Sequence, residues 1–144
     1  MKTKVLVLVP YSVPPDQIGS YVDRQLQHPG LNEGGEASCG RFDYLVGPLE
    51  SCLDDKVTEG RLPPKIRRAL HGNICEINRL PPNLNFGAIV TPDGVWHDLR
   101  DFGWKMTTEP SQENQDAATR WDLRVRELLS LNPDCWVVAN WAHS

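Results

Sequence analysis

Val5-Leu6-Val7-Leu8-Val9 is a run of five apolar residues with no polar partner between them, and it ends at Pro10. A strand with one wet face alternates apolar and polar residues. An unbroken run predicts a strand buried on both faces of a sheet. A comparable stretch, Cys135-Trp136-Val137-Val138-Ala139-Asn140-Trp141, lies near the other end of the chain. These two most apolar strands are natural neighbours at the centre of one sheet, so the chain is organised around them.

The segments between them supply the covering layers. Ile18, Tyr21, Val22 and Leu26 fall at i, i+3, i+4 and i+8, one stripe of a helix. Pro14-Pro15-Asp16 opens that helix and Pro29-Gly30 closes it. A longer helix is predicted from Ser111 to Leu131, its stripe made by Ala117, Ala118, Trp121, Val125, Leu128 and Leu129. Asn132-Pro133 ends it. Pro63 to Leu70 reads as a short helix stopped by Gly72. Arg41 to Val46 and Ile74 to Leu80 read as further strands. Phe86 to Thr91 and Val95 to Leu99 flank Pro92-Asp93-Gly94, a hairpin signal: proline presets one turn dihedral and glycine accepts a positive φ. Residues 30–40, 47–62 and 100–111 read as loops. The predicted fold is α/β, an α+β sandwich with a mixed sheet. Its N- and C-terminal strands are central, two main helices cover it, and a hairpin occupies about 85–99. All 144 residues form a single domain.

Composition narrows the function classes. Hydrophobic residues make up 40% and charged residues 24%, which fits a globular chain rather than a disordered one. A net charge of −4 argues against a broad nucleic-acid-binding face, which needs a basic surplus. The short basic run Lys65-Ile66-Arg67-Arg68 reads as a solvated face, with a local phosphate clamp as the alternative. Four cysteines, Cys39, Cys52, Cys75 and Cys135, lack the paired spacing of a zinc site, so no metal or other cofactor is expected. The first apolar run is too short for a signal peptide or a membrane span, which predicts a cytoplasmic protein with reduced thiols. A homo-oligomer stays open.

All five tryptophans lie between residues 96 and 141, at Trp96, Trp104, Trp121, Trp136 and Trp141, with His97 and His143 close by in sequence. Indole rings beside polar groups can core a fold or stack on a planar ligand. If Trp96, His97, Trp104, Trp141 and His143 meet around one hollow, they form a ligand site. Tyr11 and Ser12 follow the first strand at the edge where open sheets hold ligands, and Arg41 and Tyr44 are further candidates. The opposing reading makes His97 a hydrogen-bonded core histidine, Trp96 a packing residue, Asp93 a turn residue and His143 part of a frayed tail. As an enzyme, the chain would draw its acid and base from His97, His143 and Asp98. The phosphate-loop, Rossmann, nucleophile-elbow and zinc-protease signatures are absent.

Thr91-Pro92-Asp93-Gly94-Val95-Trp96-His97, Phe102-Gly103-Trp104, Phe42-Asp43-Tyr44 with Val46-Gly47, and the terminal Trp141-Ala142-His143-Ser144 together resemble a family of uncharacterised small proteins of bacteriophages and actinobacteria. The resemblance is carried by about the last sixty residues and, in the first half, by residues 42–47. The chain departs from the family pattern at Gly47-Pro48-Leu49-Glu50, where the family tends to carry an arginine, and at Trp141, where it tends to carry an aspartate. The resemblance implies a phage setting, in which a small protein in the host cytosol blunts defence by capturing or destroying a nucleotide messenger. Three functions follow as expectations. The first is binding and sequestration of a nucleotide-like small molecule. The second is metal-independent hydrolysis or N-glycosidic cleavage of one. The third is protein–protein inhibition of a host enzyme.

Overall fold

The computed structural model describes residues 2–26, 42–44, 62–63, 65–66, 74–80, 86–104 and 109–143. Within them one sheet of six strands carries the fold. β1 (Lys2–Pro10) lies beside β6 (Cys135–His143), antiparallel over nine residue pairs from Lys2–His143 to Pro10–Cys135. The two apolar runs are thus the central neighbours that their lack of alternation predicts. β4 (Ala88–Val90) pairs parallel with β1, and β5 (Trp96–Asp98) adds antiparallel to β4. On the other side β6 takes β2 (Phe42–Tyr44) opposite Asn140–Ala142 and β3 (Ile74–Glu76) opposite Trp136–Val138.

Each face of the sheet has its own helix. Residues alternate across a strand, so β1 sends Val5, Val7 and Val9 to one face and Leu6 and Leu8 to the other. The first set packs with Ile18, Val22 and Leu26 of α1 (Ile18–Leu26), together with Trp136 and Val138. The second packs with Trp121, Val125 and Leu128 of α2 (Gln112–Leu131), together with Val137 and Ala139. All five residues from Val5 to Val9 are completely buried. At about 25 cal/mol per Å² of apolar surface, a strand covered on both faces is among the strongest contributors to folding that a small domain has.

The helix ends follow local chemistry. The Ser111 hydroxyl accepts the Asn114 N–H at 3.1 Å, capping α2 where the sequence places its start. At the other end Asn132 Nδ2 donates to the Leu128 carbonyl at 2.8 Å, before Pro133. β3 is shorter than the expected Ile74–Leu80 strand: after Glu76 the chain turns into a 3-10 segment, Ile77–Arg79. The predicted 100–111 loop begins with another, Leu99–Phe102, closed by Gly103 at φ 91°. The predicted loops over 30–40 and 47–61 lie outside the described residues, as does all but a fragment of the 63–70 helix. Among the described residues no helix is long and apolar enough to cross a membrane.

Candidate functional site

The hairpin motif resolves into turn chemistry. The Gly94 N–H donates to the Thr91 carbonyl at 2.9 Å, and Gly94 holds φ 83°, a conformation that glycine accepts freely. Asp93 Oδ1 accepts the Thr91 hydroxyl and the Val95 N–H, the latter at 3.2 Å. These bonds, the Thr91 one foremost, hold the Asp93 carboxyl below its ordinary range. Thr91 Oγ1 also lies 3.2 Å from the Val95 carbonyl and 3.4 Å from His97 Nε2. A hydroxyl has one proton, and the carboxylate is its strongest acceptor. Oγ1 therefore meets the imidazole as an acceptor, which assigns the neutral ring's proton to Nε2 and the lone pair to Nδ1.

His97 pairs with Ile89 in the sheet, which places it on the face that α2 covers. Partial burial, helped by the Arg124 guanidinium, pushes the imidazole below its ordinary pKa of 6.5. His97 is therefore neutral around pH 7. Its neighbour Asp98 accepts from the Arg100 backbone at 2.8 Å and from the Arg100 guanidinium at 3.1 and 2.9 Å. Its own N–H donates to Asp101 Oδ2 at 3.1 Å, completing a capping box around the 3-10 turn. The Asp98 carboxylate is tied into structure rather than held ready as an acid or base.

Sheet register separates residues that a single hollow would need together. His97 is level with Ile89, Leu6 and Ala139, whereas His143 ends β6 opposite Lys2. Three strand spacings and four residues of rise put their backbones on the order of 20 Å apart. Trp141, opposite Lys4, is likewise three strands away. The expected convergence of the hairpin with the closing strand does not form.

The other indoles are divided between the layers. Trp136 is buried on the α1 face, where Tyr11 meets it edge-on with ring centroids 5.0 Å apart. Trp96 packs against the same cluster and donates its indole N–H to the Gln25 carbonyl at 3.1 Å. Trp121 is buried on the α2 face and donates to the Phe86 carbonyl at 3.1 Å. Ser12 is exposed just beyond β1, Tyr44 stands opposite Asn140 in β2, and Arg41 lies outside the described residues. Cys135 is buried, and burial pushes its thiol up, away from nucleophilic reactivity. Among the described residues no three His, Cys, Asp or Glu side chains gather to hold a metal ion.

Trp104 has a different setting. The chain leaves Gly103, and the half-buried Trp104 lines a hollow of about 330 Å³ with Glu109, Pro110, Ser111, Asn114, Gln115 and Ala118. Trp104, Pro110 and Ala118 give it apolar wall. Ser111, Asn114 and Gln115 bring a hydroxyl and two amides from the first turns of α2, and Glu109 a carboxylate. Sequence reasoning singled out Trp104 but not these partners. The available signal was Ser111 at the start of the predicted helix, because a capped first turn presents polar side chains beside the preceding loop. No family model, curated protein or solved structure matches this chain.

Proposed function

We propose that this domain binds and sequesters a nucleotide-like small molecule in the hollow beside Trp104, with the base stacked on the indole. The observation that carries this reading is the hollow itself: a half-buried indole borders the same space as the hydroxyl and amides of the first turns of α2. Its volume of about 330 Å³ is at the lower end for ligand pockets, which run from roughly 300 to 1,000 Å³. That is room for one nucleoside unit. Stacking supplies about 1–3 kcal/mol per base. At about 0.3 kcal/mol per heavy atom, a ligand of roughly twenty heavy atoms binds with about 6 kcal/mol. This corresponds to a Kd of tens of micromolar.

Capture is better supported than cleavage. A hydrolase needs an acid and a base within reach of one bond. Here Asp98 is held by Arg100, and the sheet register keeps His97 and His143 apart. Capture of a messenger in the host cytoplasm is the setting that the phage resemblance implies. The test is calorimetric titration with a panel of nucleosides and nucleotides, followed by chromatography of the recovered ligand. Saturable binding that Trp104→Ala abolishes, with ligand returned unchanged, is the expected result. Absence of binding across the panel at millimolar ligand overturns the reading, and recovery of a cleaved product moves it to hydrolysis.

A further inference from the structure

Resting on that reading, we infer that the hollow beside Trp104 prefers a base with a ring carbonyl, read by hydrogen-bond donors from the start of α2. Ser111, Gln115 and Ala118 border the hollow at i, i+4 and i+7, a spacing that returns to one side of a helix. The Gln115 backbone N–H donates to the Ser111 carbonyl at 3.1 Å, so the two residues stand one turn apart. Glu109 and Asn114 border the same space, but both already have partners, and selection falls to Ser111 and Gln115. Among the described residues the Ser111 hydroxyl proton has no acceptor, and the Gln115 side-chain amide makes no hydrogen bond.

The chemistry of these two groups favours an acceptor on the ligand. The Ser111 oxygen takes the Asn114 N–H at 3.1 Å, and a hydroxyl that accepts one hydrogen bond is polarised to donate the next more strongly. Its proton is what it offers the hollow. The Gln115 amide brings two N–H donors against one carbonyl. Backbone groups left over at a helix start are N–H donors as well. Stacking on Trp104 occupies the face of a base and leaves its edge to meet α2. A carbonyl on that edge accepts from the donors. An exocyclic amine in its place sets donor against donor and strands the hydroxyl proton. Uracil and hypoxanthine carry the carbonyl where cytosine and adenine carry the amine.

The experiment titrates two matched pairs, uridine with cytidine and inosine with adenosine, into the full chain by calorimetry, in parallel with Trp104→Ala, Ser111→Asp and Gln115→Glu. In at least one pair the keto member should bind about tenfold more tightly than its amino partner. Ser111→Asp keeps an oxygen to cap α2 but has no proton to give, and Gln115→Glu keeps the shape of the side chain while removing its N–H donors. Both variants should hold the melting temperature, and in both the keto preference should shrink or reverse, which a merely structural role for these residues would not produce. If Trp104-dependent binding occurs but amino nucleosides bind as well as their keto partners, or if the preference survives either substitution, the carbonyl inference falls while ligand capture stands. If no Trp104-dependent binding occurs, both fall.

Discussion

The Trp96 indole N–H donates to the Gln25 backbone carbonyl at 3.1 Å, and Gln25 answers by sending its side-chain amide to the Thr91 carbonyl at 3.2 Å. Gln25 is in the last turn of α1, whose final carbonyls have no partner within the helix. The hairpin therefore caps the helix, and the helix holds the hairpin turn. Tyr21 joins the clasp: its hydroxyl lies 3.2 Å from the Gln25 amide and 3.5 Å from the Pro92 carbonyl.

Removing one donor from this clasp exposes its worth. Trp96→Phe keeps an aromatic ring but leaves the Gln25 carbonyl without its indole partner, which costs about 1–3 kcal/mol. Urea unfolding should show a lower midpoint with an unchanged slope. Hydrogen exchange should quicken at the Gly94 amide, which closes the turn. An unchanged midpoint would mean that water replaces the indole at no cost.

Gly94→Ala tests the turn rather than the clasp. A Cβ at Gly94 meets Gln25 Oε1 at 3.7 Å, ordinary van der Waals contact, so any penalty comes from the backbone at φ +83°. That conformation costs a residue with a side chain about 1–2 kcal/mol. Gly94→Asn, which tolerates this region better, should recover part of the loss in thermal melts. Equal losses for both variants would point to packing instead.

These two predictions concern a motif whose elements could be read from sequence but whose purpose could not. Proline, aspartate and glycine announce a turn because each fixes a local dihedral or hydrogen bond, and local signals survive in a single sequence. The same holds for the stripe of Ile18, Val22 and Leu26, for Ser111 as a cap, and for the unalternating run of Val5 to Val9. The distance between His97 and His143 is set by strand order and register, which depend on pairings between distant segments. Nearness in sequence therefore suggested a shared hollow that β4 and β1 keep apart. The layer that takes each tryptophan is also a register property: β6 gives Trp136 to the α1 face, while its neighbours Cys135 and Val137 face α2. The Asp98–Asp101 capping box was local and legible, as an aspartate three residues before another, but it straddles the end of the expected Val95–Leu99 strand and the start of the expected 100–111 loop.

Stability should depend on pH through His97. Burial and Arg124 lower its pKa in the folded state, so the unfolded chain takes up the proton first as the solution is acidified. A depressed folded pKa contributes stability that is complete above the unfolded value of 6.5 and is lost as pH falls through the folded value. Asp93 acts in the same direction in a lower window, below its ordinary 3.8. The melting temperature should fall between pH 7 and pH 5 in the native chain, and fall less in His97→Asn. Parallel pH profiles for the two proteins would remove His97 as the cause.

Two tryptophans near each other in sequence should behave in opposite ways. Trp121 is 4% exposed, its ring tilts against Phe86 and Phe102 with centroids 6.1 Å away in each case, and its N–H is bound to the Phe86 carbonyl. Trp121→Ala empties a site walled by β-sheet on one side and the Leu99–Phe102 turn on another, for which large-to-small changes cost about 3–5 kcal/mol. Trp121→Phe keeps most of the ring and loses the hydrogen bond, a cost of about 1–3 kcal/mol. Trp104 is half-buried at the margin of a hollow, so its truncation exchanges ring contacts for solvent and should shift the urea midpoint far less than Trp121→Ala. Measured side by side, a large loss at Trp121 and a small one at Trp104 mark the first as core and the second as surface open to a ligand. A Trp104→Ala loss as large as that of Trp121→Ala would instead make the Trp104 ring part of the core, and the hollow beside it a packing defect.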